Sequence, residues 1–304
     1  MTINQTSRHM KQKQLMNYAL GFLLTCFATG VYAEPQMSTL ERIASHKLIN
    51  IGYRDAPPYA YKTSDGHVVG YVIDLCKDVT ESLKNKLHIN TLVVNYVPAP
   101  LTMRTAMLNH NVIDMDCSVN TDTVKRQKIV LFSHHYLSVH TRFATRISTN
   151  IYSSFDLAGR TISVTKGTSD LVNINRLNRL QELNLLILSQ PTMQESFEAL
   201  SNGKSFAAAM NEVSLKELVE SSEDPASYQI SALALGAPQD LGIMMRHDDE
   251  ELKSVVDASL DSRFNRADFK QLFNQWFNSN LPDKNINLHI PLTAEMYKYL
   301  TRKM

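Results

Sequence analysis

The chain has no long apolar run past residue 33, and in all its 304 residues only three cysteines (Cys26, Cys76 and Cys117), one tryptophan, and no dominant charge sign. Each shortage excludes something. Three cysteines cannot staple a disulfide-dense scaffold, and with no CxxC or HExxH pattern neither a metal centre nor a cofactor is expected. A net charge of +1 is too balanced for a chain that holds nucleic acid by charge. With 10 Gly and 10 Pro among 304 residues and 43% hydrophobic content, collagen-like and disordered chains are excluded too. What remains is a folded chain with material for about two domains, at roughly 150 residues each.

Residues 1–33 read as a cleaved secretory signal. Arg8, Lys11 and Lys13 give a basic start, Leu15 to Phe27 an apolar run, and Val31-Tyr32-Ala33 a small-residue cleavage site before Glu34. Asn17 and Thr25 interrupt the run, which is short for a membrane span of about 20 residues. A lipid anchor at Cys26 is disfavoured because Thr25 precedes it. The expected compartment is therefore the periplasm, where Cys76 and Cys117 either pair or stay as buried thiols.

From Glu34 onward β-rich and helical stretches alternate. Strands are expected at Leu48–Tyr53, Thr91–Val97 and Val112–Asp116, with helices at Tyr71–Leu87 and Leu101–Leu108 between them. A second series has strands at Thr161–Thr165, Leu183–Leu188 and Phe206–Met210, and helices at Ser169–Leu180 and Met193–Ser201. A strand at Leu241–Met245, helices over 248–263 and 267–278, and an extended tail from Leu281 close the chain. This is an α/β pattern of mostly parallel sheets, with the second series set into the first. The expected lobes are 34–140 plus 241–304, and 141–240, joined by two connecting segments near 138–143 and 238–243. Such a pair is built to close on a small ligand.

Several motifs are more specific. Gly70-Tyr71-Val72-Ile73-Asp74-Leu75, the run Thr121 to Lys128 followed by Phe132-Ser133, and Asp156 to Arg160 leading into Val164-Thr165-Lys166-Gly167-Thr168-Ser169 together resemble the bacterial amino-acid-binding proteins of ABC uptake systems, solute-binding family 3. Gly52-Tyr53-Arg54, Arg104, Asp116-Cys117 and the Trp276 to Asn285 tail are most similar to the glutamate/aspartate-binding branch. The resemblance implies a type II periplasmic-binding-protein fold with a double-strand hinge. It also implies a monomer that captures a small amino acid or dicarboxylate and delivers it to an inner-membrane permease.

Carried over residue by residue, the resemblance places Arg126 on a ligand α-carboxylate with the backbone N–H groups of Thr121 and Thr168. Arg54 and Arg104 fall on the side-chain carboxylate. Arginine suits this work, because its planar fork donates paired hydrogen bonds and stays charged. Thr168 opens a helix, which attracts anions on its own account. Tyr59 either packs on the ligand or belongs to the core. Three positions depart from the branch: Val119 and Leu101 replace serines, and Met193 replaces a histidine. The family's ammonium-holding aspartate falls at Asn211, followed by Glu212. Either Glu212 takes over that contact, or the ligand is a dicarboxylate whose amine is absent or differently placed.

Two other classes compete. Cyclohexadienyl dehydratases use the same two-lobed fold on prephenate, and such chemistry needs a general acid, for which Glu195 and Glu212 are the candidates. The adjacent His134 and His135 read as structural. A sensor or scaffold that has lost ligand binding is the third class, suggested by Leu101, Met193 and Asn211.

Overall fold

The computed structural model describes residues 37–301; the expected signal segment, its expected cleavage position and Cys26 lie outside the described residues. Strands β1 (Leu48–Tyr53), β2 (Tyr61–Lys62), β3 (Val68–Val69), β4 (Val93–Pro98), β5 (Met115–Asp116) and β6 (Val130–Phe132) come first. Next are β7 (Leu137–Arg146), β8 (Thr161–Thr165), β9 (Leu186–Gln190) and β10 (Ala207–Asn211). β11 (Tyr228–Ile230), β12 (Leu235–Leu241) and β13 (Met244–Arg246) complete the series.

They form two principal sheets. The first has the order β4-β1-β5-β13-β6; β1 is parallel to β4 and β5, while β13 runs antiparallel to β5 and β6. The second has the order β11-β7-β10-β8-β9 with β12 on β7; its β10-β8-β9 core is parallel. Every strand paired with β7 is antiparallel to it, so the sheets are more mixed than the sequence pattern implies. The β7–β12 pair, with a register shift between Leu235 and Gln239, spans residues 138–143 of the first expected connecting segment and 238–241 of the second.

The elements follow from side-chain spacing. In β10, Ala207 and Ala209 join Phe143, Ile162 and Ile174 on one face, while Ala208 and Met210 join Phe197 and Leu215 on the other. That is the two-residue period of a strand buried on both sides. The helix Tyr71–Lys86 buries Tyr71, Leu75, Val79 and Leu83, a helical stripe, against the first sheet's core. Tyr71 meets Phe277 there with ring centroids 5.0 Å apart.

Two motif residues have structural explanations. Gly70 has φ of 141°, and a Cβ there would lie 2.3 Å from the Tyr59 carbonyl oxygen, so only glycine lets that loop sit on the helix start. Asp74 accepts a hydrogen bond from Trp276 Nε1 at 2.8 Å. Cys76 and Cys117 form a disulfide, which ties this helix to the chain just past β5.

Some boundaries differ from expectation. The helix over Leu101–Leu108 begins only at Arg104, three residues after the chain leaves Pro98-Ala99-Pro100. β9 begins at Leu186 because Glu182 and Asn184 take left-handed backbone in a turn. The tail is not extended throughout: Ala294–Thr301 is helical. Among the described residues no helix is long and apolar enough to cross a membrane, and no residue group could hold a metal ion.

Candidate ligand-binding cleft

Three arginines from separate stretches line one cavity. Arg54 follows the end of β1, Arg104 opens the helix Arg104–Asn109, and Arg126 lies in the short helix Val124–Gln127. Each is held by oxygens that carry no net charge. Arg54 Nη2 donates to the Val119 carbonyl at 3.4 Å, and its buried Nε has no partner among the described residues. Arg104 Nη1 donates to Asn120 Oδ1, while Asn120 Nδ2 donates to the Asp116 carbonyl at 3.0 Å. Arg126 donates to the carbonyls of Thr121 at 2.9 Å and Gly167 at 3.1 Å.

None of the three forms an ion pair among the described residues. Burial, joined by repulsion from the neighbouring Arg104, brings Arg54 down to about 10. Arg126 is brought to about 10 by the same two causes, and burial lowers Arg104 as well. All remain cationic at neutral pH. The result is a desolvated cluster of like charges, a costly arrangement unless an anion joins it. Asp116, fully buried beside them, has no hydrogen-bond partner on either carboxylate oxygen among the described residues, and burial raises it to about 6.

The opposite wall comes from the second sheet's side. Thr168 caps the helix Ser169–Gln181, with Oγ1 accepting from Leu171 N–H at 3.3 Å. Ser169, Asp170, Met193, Asn211 and Gln239 also line the cavity, as do Leu101, Val119, Val139 and Thr121. Ser169 Oγ meets Thr121 Oγ1 at 3.0 Å, so with the Arg126–Gly167 bond the walls are in direct contact. The space left is about 20 Å3, which suits a single water rather than an amino acid. A guest of that size enters only when the walls separate.

Two expected residues are placed elsewhere. Tyr59 is fully buried in the core, edge-on to Phe277 with centroids 6.3 Å apart; its hydroxyl donates to Asn211 Oδ1 at 3.3 Å. Glu212 points away from the cleft, accepting from Arg142 Nε at 2.6 Å and from the His140 N–H at 3.0 Å. It therefore has no free arm to replace the missing aspartate. Asn211 lines the cleft, but its Oδ1 caps the helix Glu212–Glu220 by accepting from Ser214 N–H at 2.9 Å. Glu195 completes a capping box with Thr192, while His134 bonds Asp257 and Asp261, and His135 bonds Asp122.

Glu212 instead lines a larger cavity, of about 970 Å3, with Leu137, His140, Arg142, Phe277 and Met296. None of the three arginines reaches it, and its own Arg142 and Glu212 neutralise each other, so the smaller cavity has the unmet charge. Sequence reasoning missed Asn120, Ser169, Asp170 and Gln239 in or beside the cleft. For Ser169 and Asp170 a signal existed: both directly follow Thr168.

The model of the bacterial extracellular solute-binding proteins, family 3, matches residues 49–279. The chain belongs to that family. This family-3 chain is 30% identical over 263 residues to a glutamate/aspartate import solute-binding protein of Escherichia coli K12, covering 85% of this chain and 86% of that protein. It is 28% identical over 275 residues to an L-glutamate/L-aspartate-binding protein of Pseudomonas aeruginosa, covering 89% and 90%. Among solved structures, a Streptococcus pneumoniae substrate-binding protein of an ABC uptake transporter with bound histidine superposes with TM-score 0.70 at 20% identity. That superposition covers 79% of this chain and 96% of the other. The family-3 chain thus has the type II periplasmic-binding-protein fold.

Proposed function

We propose that this chain is the periplasmic solute-binding component of an ABC importer and captures an acidic amino acid, glutamate or aspartate, by lobe closure. One observation carries the reading: Arg104, buried, and Arg54 and Arg126, half-buried, converge on a single cavity without ion pairs among the described residues. Two carboxylates meeting three guanidiniums would relieve the mutual repulsion while each lost hydration shell is replaced by charge-assisted hydrogen bonds. The relatives named for glutamate and aspartate support the same guest.

The lobes in this reading are 34–140 plus 241–304, and 141–240, with β7 and β12 as the hinge. Opening exchanges the Arg126–Gly167 and Ser169–Thr121 bonds for water. A ligand that contacts both walls then favours the closed form through its differential affinity. An inner-membrane permease would read that closed monomer. Residues 1–33 would serve as the export signal and be removed.

Thermal melting of the mature chain against single amino acids and dicarboxylates tests the reading. Glutamate or aspartate is expected to raise the melting temperature in a concentration-dependent manner. Stabilisation by a neutral or basic amino acid alone contradicts it.

A further inference from the structure

We infer that Asp170 anchors the ligand's ammonium group, so that the cleft selects an α-amino dicarboxylate over a dicarboxylate without an amine. The inference rests on the acidic-ligand reading above and concerns which acidic ligand is taken.

The candidates reduce by elimination. An ammonium needs an anionic or strongly accepting partner inside the cleft. Asn211 stands where the resemblance expects the acid, but its Oδ1 already accepts from Ser214 N–H and Tyr59 O–H, and its Nδ2 donates to Ser214 Oγ. Glu212 faces the other cavity and is bound by Arg142 and His140. Asp116 does not line the cleft and sits beside the arginines. Asp170 is the carboxylate that lines it.

Its surroundings suit the role. Asp170 is only 6% exposed, and no ion pair among the described residues reaches it. Thr141 Oγ1 donates to its Oδ1 at 2.5 Å, and Gln239 Nε2 lies 3.5 Å from the same atom. Among the described residues no side chain donates to Oδ2. Gln239 also donates to Thr141 Oγ1 at 2.5 Å, so two residues of the β7–β12 pair fix the carboxylate while one oxygen stays available. Helix N-terminal acids often serve only the helix dipole. This one is instead buried in the cleft and orientated by the strand pair.

The charge balance agrees. Three arginines face two carboxylates, Asp116 and Asp170, in and beside the cleft, leaving one positive charge in excess when both acids are ionised. A zwitterionic acidic amino acid carries one net negative charge and closes the balance. Glutarate carries two and overshoots it, while leaving Asp170 unpaired.

Calorimetric titration of L-glutamate and glutarate into the wild-type chain and Asp170→Asn tests the inference. The wild type is expected to favour glutamate at least ten-fold. The substitution should lower glutamate affinity at least 30-fold and, by removing one negative charge, leave glutarate affinity no weaker or raise it, and so erase the preference. Should the asparagine variant lack a native circular-dichroism spectrum, Asp170→Ser is titrated in its place under the same criteria. Equal losses for both ligands, or undiminished glutamate binding, overturn the inference. Wild-type chain that binds glutarate as tightly as glutamate also overturns it but leaves the acidic-ligand reading intact. Wild-type chain that binds neither overturns both.

Discussion

Arg54 contributes little to holding the fold and much to the cleft's charge. Its guanidinium is buried, its Nε is unpartnered, and the neighbouring Arg104 repels it. Replacing a poorly compensated buried charge with an apolar side chain of similar length is often neutral or stabilising. Arg54→Met is therefore expected to leave the ligand-free melting temperature unchanged or higher. Glutamate affinity should fall ten- to one-hundred-fold, in line with about 1.5–3 kcal/mol for a charged hydrogen bond. Parallel melting and titration of the two chains check both halves; a large loss of ligand-free stability would make Arg54 structural. Asp116 adds a pH signature. Its carboxyl is raised to about 6 in the fold, so between the ordinary carboxylate range and pH 6 the native chain binds more protons than the unfolded one. Stability from this group is then greatest below that window and declines as pH rises through it. Urea unfolding at pH 4.5 and 7 should show wild type losing stability relative to Asp116→Asn across that interval, by on the order of 2 to 3 kcal/mol.

Among the secondary-structure elements, the helix Tyr71–Lys86 and the chain after β5 are joined by the Cys76–Cys117 bond, across a sequence separation of 41 residues. Closing a loop of that length removes denatured-state entropy equivalent to about 4 kcal/mol. The Cys76→Ser, Cys117→Ser double variant should lose stability of that order in urea unfolding, and a reductant should act on wild type in the same direction. The pairing itself was not legible in the sequence, which carries no distance between strand and helix. Strongly periodic elements were: β1, β8 and the helix Met193–Ser201 have the limits their apolar spacing implies. The misses have local causes. Backbone reversals at Glu182 and Asn184 delay β9, while β7, whose residues Leu137 to Phe143 alternate buried and half-buried, has a legible strand period that the sequence pattern assigns only to a connecting segment. At the site, the three arginines could be located from motifs because a cation's role is tied to residue type. Glu212 could not be placed, since which side of the strand pair a carboxylate faces depends on partners such as Arg142 and His140. Asp170 is not singled out by the resemblance, which draws only on the N–H groups at its helix start.

Across the whole molecule, wall-to-wall bonds hold the cleft shut around little empty space. Outside it, Lys284 Nζ on the C-terminal tail lies 3.3 Å from Glu217 Oε1 on the helix Glu212–Glu220. Burial raises the Glu217 carboxyl and Lys284 lowers it, so this bridge has more value than a fully exposed pair. Lys284→Ala is expected to favour the open form and weaken glutamate binding without touching the cleft. Small-angle scattering of the ligand-free variant should show a larger radius of gyration than wild type, and saturating glutamate should remove the difference. A closed, triply cationic cleft suits an acidic amino acid. Isothermal titration of the mature wild-type chain with L-glutamate, L-aspartate, L-glutamine and L-arginine tests it most directly. Saturable heat at one ligand per chain with glutamate or aspartate, and none with glutamine or arginine, is the predicted result; saturation by arginine or glutamine with silence from both acids would contradict it.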